Sequence, residues 1–248
     1  MRLLEIDDIV FRYEGAPLLA GLSFGVDEGE FVSILGPSGC GKSTILNLLA
    51  GILAPEGGSM RLGGRPISGM SSRFAYMLQN DLLFPWKTIM QNVCLHGRIH
   101  GKEQEARSQA QALFPLFGLS GYEDAWPDDL SGGMRQRAAF LRTALCDADI
   151  LLLDEPFGAL DVITRSDMQD WLASMKRHLN RTCLLVTHDI DEAIYLSDRI
   201  LVIGGRPANI RGEYRVDGSE RSREWLYGQG ELRRALHDAI LGEGLAAC

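Results

Sequence analysis

The chain has 248 residues, with 33 acidic and 25 basic side chains that give a formal net charge of −8 at pH 7. This length is sufficient to bury one large core, with or without a small subdomain. The acidic surplus disfavours binding to a phosphate backbone, so we expect no nucleic-acid partner. No apolar run reaches the ~20 residues that a membrane-spanning helix needs. We therefore expect any membrane function to depend on partner chains.

The amino terminus does not have the pattern of a secretory signal, because acidic residues interrupt its apolar stretch. The five cysteines are odd in number and form no CxxC pair, which argues against a disulfide framework and against a zinc site. They are Cys40, Cys94, Cys146, Cys183 and Cys248. Reduced thiols in a cytosolic setting are the expectation.

Strand-like patterns recur along the chain, and several are almost entirely apolar, as in parallel strands that are covered on both faces. A turn at residues 14–17 joins the first two predicted strands, and a helix over residues 42–50 follows the third. The predicted strands are residues 3–13, 18–26, 31–35, 73–78, 150–154, 182–187 and 199–203.

Helical periodicity replaces the strand pattern in the middle of the chain. We therefore predict an α/β core made of residues 1–87 and 147–205, with a helical subdomain inserted at residues 88–146. A polar extension over residues 206–248 follows and ends in a predicted helix at residues 231–241. The apolar face of that helix is expected to pack against the core, with binding to a partner as the alternative.

A glycine-rich segment between the third strand and the first helix matches the pattern G-x-x-x-x-G-K-[ST]. Its glycines allow successive backbone N–H groups to point at phosphates, and the following helix offers its N-terminus to an anion. Lys42 is expected to reach the β and γ phosphates of ATP, and the Ser43 hydroxyl is expected to bind Mg²⁺. The segment consists of Gly36, Pro37, Ser38, Gly39, Cys40, Gly41, Lys42, Ser43 and Thr44. We assign Cys40 no chemistry and regard it as a small filler.

A second apolar strand, residues 150–154, ends in two carboxylates. Asp154 is placed to hold Mg²⁺ directly or through water. Glu155 is then available to polarise the water that attacks the phosphate. Together with the phosphate loop, this pair predicts ATP hydrolysis.

The stretch Leu130-Ser131-Gly132-Gly133-Met134 precedes an arginine-rich helix. Together with the phosphate loop and the acidic strand end, in this order, it resembles the nucleotide-binding subunits of ATP-binding-cassette transporters over residues 3–205. The resemblance implies a P-loop NTPase core of class α/β, with a mainly parallel sheet, antiparallel N-terminal strands and an inserted helical subdomain. One departure is Met134, where many members of that family have glutamine.

The resemblance also implies roles for single residues. Tyr13 matches the aromatic residue that stacks on adenine, with packing of the strand as the alternative. Gln79 matches the glutamine that touches Mg²⁺ and the attacking water, and His188 matches the histidine that senses the γ-phosphate. Asp161 matches the aspartate of a loop that crosses a dimer interface.

The signature residues Ser131, Gly132 and Gly133 would form a second anion site at a helix N-terminus. In the family this site faces the ATP held by the other subunit. The resemblance therefore implies a head-to-tail dimer in which two copies trap two ATP molecules, so that one chain holds half of each active site.

The stretch from Leu82 to Thr88, LLFPWKT, is similar to the importer branch that handles nitrate, sulfonates, taurine and pyrimidine precursors. In that family the region receives a helix of the membrane subunit, and Phe84 and Trp86 suit such a groove, although burial within the helical insertion is equally compatible. The implied partners are integral-membrane permease subunits and, indirectly, an extracytoplasmic solute-binding protein. The implied location is the cytoplasmic face of the inner membrane.

Two alternatives to a transport ATPase are less consistent with the sequence. A soluble cassette ATPase acting on nucleic acid or ribosomes would be expected to carry a coiled-coil insertion, zinc-binding cysteines, two cassettes or a basic surface, and the sequence has none of these. A nucleotide-binding protein without hydrolysis is disfavoured because both Glu155 and His188 are present.

Overall fold

A ten-stranded mixed sheet forms the centre of the part of the chain that the computed structural model describes, which is residues 1–179, 181–218 and 221–242. The strand order is β5-β4-β1-β2-β10-β9-β3-β8-β7-β6. The strands are β1 (Arg2–Tyr13), β2 (Ala16–Asp27), β3 (Phe31–Leu35), β4 (Gly57–Leu62), β5 (Arg65–Pro66), β6 (Phe74–Met77), β7 (Ile150–Asp154), β8 (Thr182–Thr187), β9 (Arg199–Gly205) and β10 (Ala208–Arg215).

Strands β9, β3, β8, β7 and β6 are parallel and form one half of the sheet. All residues of β3, β7 and β8 are buried, which agrees with their apolar sequences and with cover on both faces. Their registers align Leu35 with Thr187 and Asp154 with Val186. The loops that follow these strands therefore leave the sheet at one edge.

The other half of the sheet contains the antiparallel hairpin of β1 and β2. Glu14 and Gly15 form its turn with φ angles of 50° and 83°. The strands and turn predicted at residues 3–26 are confirmed. Strands β4 and β5 extend this half and were not predicted.

Nine helices occur within the described ranges. They are α1 (Lys42–Leu49), α2 (Ile89–Val93), α3 (Leu95–Ile99), α4 (Glu103–Leu113), α5 (Gly132–Ala144), α6 (Val162–Leu179), α7 (Ile190–Leu196), α8 (Arg223–Tyr227) and α9 (Gly230–Leu241). Helices α2 to α5 and a 3₁₀ turn at Pro127–Asp129 lie between β6 and β7, and no strand interrupts them in this fully described stretch. None of the helices in the described ranges is long and apolar enough to cross a membrane.

The chain after residue 205 contributes to the sheet, because β10 pairs with β9 and with β2. The domain boundary at residue 205 stays a prediction, but the sheet itself extends to Arg215. The predicted terminal helix is confirmed as α9, with Leu236 fully buried against the core. Cys248 and the first two residues of the polar run at residues 219–224 lie outside the described residues.

Candidate active site

The phosphate loop connects β3 to α1 at the carboxyl edge of the parallel strands. Gly39 and Gly41 have φ angles of 78° and 105°, a region that side chains disfavour, so these positions require glycine. Lys42 is buried, and its Nζ donates hydrogen bonds to the carbonyl oxygens of Gly36 at 2.9 Å and Pro37 at 3.0 Å. The lysine thus folds back over its own loop, and its ammonium group lies beside the loop backbone.

Gly36 and Cys40 make the base of the loop close-packed. A Cβ at Gly36 would lie 2.6 Å from the carbonyl oxygen of Ile203 and 3.1 Å from Cys40 Sγ. Cys40 is buried, and this burial raises the pKa of its thiol. These contacts agree with its interpretation as a filler.

Asp154 ends β7 and contacts the first turn of α1 through Ser43. Its Oδ1 accepts a hydrogen bond from the Ser43 hydroxyl at 2.9 Å, and its Oδ2 accepts one from the Tyr76 hydroxyl at 3.0 Å. Burial raises the pKa of Asp154, and the hydrogen bonds from Ser43 and Tyr76 oppose that rise. Burial and the nearby carboxylate also raise the pKa of Tyr76, so its hydroxyl is a stable donor.

Tyr76 was not identified from the sequence. Its only sequence signal is its place in a short strand, and its partner Asp154 is 78 residues away. The two come together because β6 and β7 are parallel neighbours.

The oxygens of Ser43 and Asp154 are the kind of ligand that Mg²⁺ binds. Within the described residues, no three His, Cys, Asp or Glu side chains are grouped in a way that could hold a metal ion. Mg²⁺ commonly binds through one or two carboxylates together with phosphates and water. The donor set therefore fits a magnesium ion that arrives with a nucleotide.

Glu155 follows Asp154 and contacts two other predicted site residues. Its Oε2 lies 3.1 Å from His188 Nδ1, and its Oε1 lies 3.9 Å from Lys42 Nζ. Its backbone has a φ angle of 43°, and its N–H donates to the carbonyl oxygen of Val186 at 2.9 Å. The turn after β7 thus directs the carboxylate towards the loop after β8, where His188 is half exposed.

Gln79 lies in an exposed loop just beyond β6, and its amide lies near the same turn. A Cβ at Gly158 would lie 3.2 Å from Gln79 Nε2 and 3.6 Å from Glu155 Oε2. The amide and the carboxylate therefore approach one glycine from different elements. The structure brings together Lys42, Ser43, Gln79, Asp154, Glu155 and His188.

The signature segment begins helix α5. Ser131 caps this helix, and its Oγ accepts a hydrogen bond from the N–H of Met134 at 3.3 Å. A Cβ at Gly133 would lie 2.8 Å from Thr164 Cγ2, so only glycine permits this approach of α5 to α6. Gly132 is next to it, and its Cβ would lie 3.6 Å from Leu160 Cδ2.

Asp161 caps the start of α6 beside this contact. Its Oδ1 accepts hydrogen bonds from the N–H groups of Ile163 and Thr164, each at 3.1 Å. The Thr164 side chain, followed by these backbone hydrogen bonds, lowers the pKa of Asp161. Among the described residues, no hydrogen bond joins Asp161 or the signature residues Ser131–Gly133 to the phosphate loop of the same chain.

Tyr13 lies at the end of β1 and is 59% exposed. This exposure leaves its ring accessible, and its stacking on adenine stays a prediction. Met134 is half-buried and packs against the core. Gln136 is buried, and its Nε2 donates to the carbonyl oxygen of Pro156, which ties the signature helix to the turn after Glu155.

Comparison with known proteins identifies the family. The sequence profile of the ABC transporter family matches residues 19–158. The chain is 46% identical over 207 residues to the formylaminopyrimidine import ATP-binding protein ThiZ of Halalkalibacterium halodurans, covering 83% of this chain and 81% of that protein. It is 37% identical over 235 residues to the taurine import ATP-binding protein TauB of Yersinia pestis, covering 94% and 90%.

A solved structure agrees with this assignment. It is described as a dimeric post-hydrolysis state of an ATP-binding cassette bound to ADP and Pi. The similarity has a TM-score of 0.72 at 26% sequence identity and covers 87% of this chain and all of that chain. The α/β P-loop fold is thereby confirmed, and the chain belongs to the ABC transporter family as an ATP-binding subunit with ATPase activity.

Proposed function

We propose that this chain is the motor subunit of an importer for a small anionic or heterocyclic solute of the nitrate, sulfonate or taurine type. We further propose that its site residues bind ATP and Mg²⁺ and catalyse hydrolysis. The observation that carries the catalytic part is the position of the Glu155 carboxylate. It contacts both His188 and Lys42 at the edge of the sheet where the phosphate loop begins.

ATP binding relies on the loop of residues 36–44. The N–H groups of the loop and of the first turn of α1 face the phosphates, and the anion is further favoured by the helix N-terminus. The Lys42 ammonium group exchanges its bonds with the Gly36 and Pro37 carbonyl oxygens for bonds to the β and γ phosphates. Tyr13 stacks on the adenine ring.

Magnesium would be held by Ser43, Asp154 and Gln79. When bound, it neutralises charge on the β and γ phosphate oxygens. Tyr76 is not a ligand itself, but its hydrogen bond fixes the orientation of the Asp154 carboxylate.

Hydrolysis relies on Glu155 as the general base that takes a proton from the attacking water. His188 contacts the γ-phosphate and, through its 3.1 Å contact, keeps Glu155 in place. Gln79 orients the water from the opposite side, which its approach to Glu155 across Gly158 supports.

A second copy of the chain completes each site. In the part of the chain that the structure describes, Ser131, Gly132 and Gly133 make no hydrogen bond to their own phosphate loop, which supports their action on the ATP of a partner subunit. Next to Asp161, Val162 and Ile163 are 78% and 76% exposed. Two adjacent exposed apolar residues at this loop suit a dimer interface.

The segment of residues 81–88 is proposed to receive the permease. Buried Asn92 fixes its shape, because its side chain accepts from the N–H of Phe84 and donates to the carbonyl oxygens of Phe84, Lys87 and Thr88. Arg142 of α5 donates to the carbonyl oxygens of Asp81 and Leu82. A displacement of this segment by the permease would therefore be transmitted to α5, the signature helix.

The aromatic pair Phe84 and Trp86 lies on this segment, with ring centroids 5.2 Å apart. Trp86 is 67% exposed and Phe84 is half-buried. The tryptophan ring is therefore available to anchor the permease, and the phenylalanine ring packs beside it. We place the working complex at the cytoplasmic face of the inner membrane, with a solute-binding protein on the other side that acts only through the permease.

The test is reconstitution of the chain with the permease encoded beside it in liposomes that contain internal ATP and Mg²⁺. Uptake of labelled nitrate, taurine or a formylated aminopyrimidine, each with its binding protein, is measured. We expect uptake of one solute class that stops when Glu155 is changed to glutamine. Uptake that persists in the Glu155→Gln complex, or the absence of a permease that binds the chain, would contradict the proposal.

A further inference from the structure

Arg165 and Glu192 have no role in the proposed catalytic site. Arg165 lies in the first turn of α6, four residues after Asp161, and Glu192 lies in the first turn of α7, four residues after His188. Glu192 is only 4% exposed. Arg165 is partly buried, and both ionisable side chains need a physical explanation, because removing charged groups from water costs free energy.

Each of the two side chains has one buried atom without a hydrogen bond. Among the described residues these atoms are Arg165 Nε and Glu192 Oε1, and no other buried side-chain nitrogen or oxygen shares this condition. A buried donor or acceptor that is left unpaired is costly, and here a donor and an acceptor are left over together. The two residues lie on helices α6 and α7, which pack against each other and are joined by the hydrogen bond from Tyr195 to Asp170. The positive charge of Arg165 also opposes the rise that burial causes in the pKa of Glu192.

Arg165 holds the loop of Asp161 by two contacts. Its terminal nitrogen donates to the carbonyl oxygen of Leu160 at 3.1 Å, and its backbone N–H donates to the carbonyl oxygen of Asp161 at 2.8 Å. A movement of the Arg165 guanidinium group would therefore displace the loop that contains Asp161.

Glu192 is connected to both neighbours of His188. Its backbone N–H donates to Asp189 Oδ1 at 3.1 Å, and the N–H of Asp189 in turn donates to Thr187 Oγ1 at 3.0 Å. The negative groups of Asp189 and Glu155 face it and disfavour its charge, whereas Arg165 favours it. A movement of Glu192 would therefore displace the loop that contains His188.

We propose that Arg165 and Glu192 are positioning residues that form a direct ion pair when the ATP-bound dimer closes, and that this pair couples the placement of His188 to that of Asp161. This inference rests on the proposed function of those two residues. Closure would join the unpaired Nε–H to the unpaired Oε1, and any proton on the carboxyl group would leave to solvent. An ion pair of this kind contributes little net stability but fixes one relative position of two elements.

The test compares kcat and KM for ATP in the purified full-length chain with Mg²⁺. The variants are Glu192→Gln, Arg165→Gln and the double variant. The matched control is Asp170→Asn, because Asp170 of α6 accepts a hydrogen bond from Tyr195 of α7 at 2.7 Å and so joins the same two helices away from the loops. Burial raises the pKa of Glu192 to about 8, so a neutral amide of the same shape is expected to fold.

We expect each single variant to lower kcat at least about fivefold with KM changed by less than about twofold. The double variant should be no slower than the slower single variant, because both remove the same pair. Asp170→Asn should lower the melting temperature and leave kcat unchanged. The inference is overturned if the two reductions multiply, or if Glu192→Gln behaves as Asp170→Asn does.

A His188→Ala variant in the same series separates the two proposals. Loss of turnover in His188→Ala, together with full turnover in both pair variants, overturns the coupling alone. Full turnover in His188→Ala overturns the proposed role of the histidine and the coupling with it.

Discussion

Glu155 Oε2 lies 3.1 Å from His188 Nδ1, although 33 positions of sequence separate the two residues. They meet because each follows a strand of the neighbouring pair β7 and β8, whose register aligns Asp154 with Val186. The same carboxylate lies 3.9 Å from Lys42 Nζ. The Glu155 carboxylate thus connects the phosphate loop to His188.

Changing Glu155 to glutamine should keep ATP binding and nearly abolish turnover. The amide retains the shape of the side chain but cannot take a proton from water, and loss of a general base lowers rates by about 10²- to 10⁴-fold. Release of phosphate measures turnover, and equilibrium binding of a fluorescent ATP analogue measures affinity. Glu5→Gln, an exposed carboxylate on β1, is the control. A Glu155→Gln protein with wild-type turnover would remove Glu155 from the role of base.

A mixed dimer tests whether the signature acts on the other subunit. Ser131→Ala and Lys42→Ala should each abolish hydrolysis in homodimers. In a mixed dimer, one site combines the intact phosphate loop of the Ser131→Ala subunit with the intact signature of the Lys42→Ala subunit, so activity should return at that site. The two subunits carry different affinity tags, and only the doubly tagged dimer is assayed. A correctly assembled mixed dimer without activity would mean that Ser131 does not act across the interface.

The extent to which these residues could be predicted depends on how local their signals are. The phosphate loop is determined by glycines and a lysine within nine positions, and β7 ends in its carboxylates, so both were predicted from short segments. Tyr76 and β10 were not predicted, because their roles depend on neighbours across the sheet rather than on the sequence around them. After the buried Ala208, β10 alternates exposed and partly buried residues in a polar sequence.

Changing Tyr76 to phenylalanine should raise the Mg²⁺ concentration that turnover requires at saturating ATP. The change removes the hydrogen bond to Asp154 Oδ2 and leaves the ring in the strand. Loss of such a supporting hydrogen bond lowers metal affinity by about 10- to 100-fold, so half-maximal turnover should require at least about tenfold more Mg²⁺. Tyr195→Phe is the matched control, since it removes a tyrosine hydroxyl that donates to Asp170 instead. Equal magnesium requirements in the two variants would show that Tyr76 does not position Asp154.

Changing Trp86 to alanine should separate ATP hydrolysis from transport. Trp86 is exposed, so the isolated chain should keep its stability and its basal turnover. In the reconstituted complex, loss of an aromatic anchor should reduce binding to the permease by at least about tenfold. Tyr227→Ala on α8 is the control, because that side chain is equally exposed and lies outside the proposed surface. The docking surface would be wrong if both variants bound the permease with wild-type affinity.

Changing Glu192 to glutamine should alter how stability depends on pH. In the unfolded chain this carboxyl group ionises above its usual pKa of 4.5, whereas burial, Asp189 and Glu155 raise its pKa to about 8 in the folded chain, against the opposing effects of Thr187 and Arg165. Between these values the folded chain binds more protons than the unfolded chain, so this group lowers the free energy of unfolding as pH rises, by at most about 1.4 kcal/mol per pH unit.

The glutamine variant lacks this titration. Its free energy of unfolding relative to wild type should therefore rise steadily from about pH 5 to about pH 8 and stay constant above that range. Urea unfolding followed by tryptophan fluorescence measures both proteins at each pH, and Glu28→Gln reports the response to loss of an exposed carboxylate. A difference between Glu192→Gln and wild type that is constant with pH, or that falls as pH rises, would mean that Glu192 is ionised in the folded chain, with its charge already compensated by Arg165.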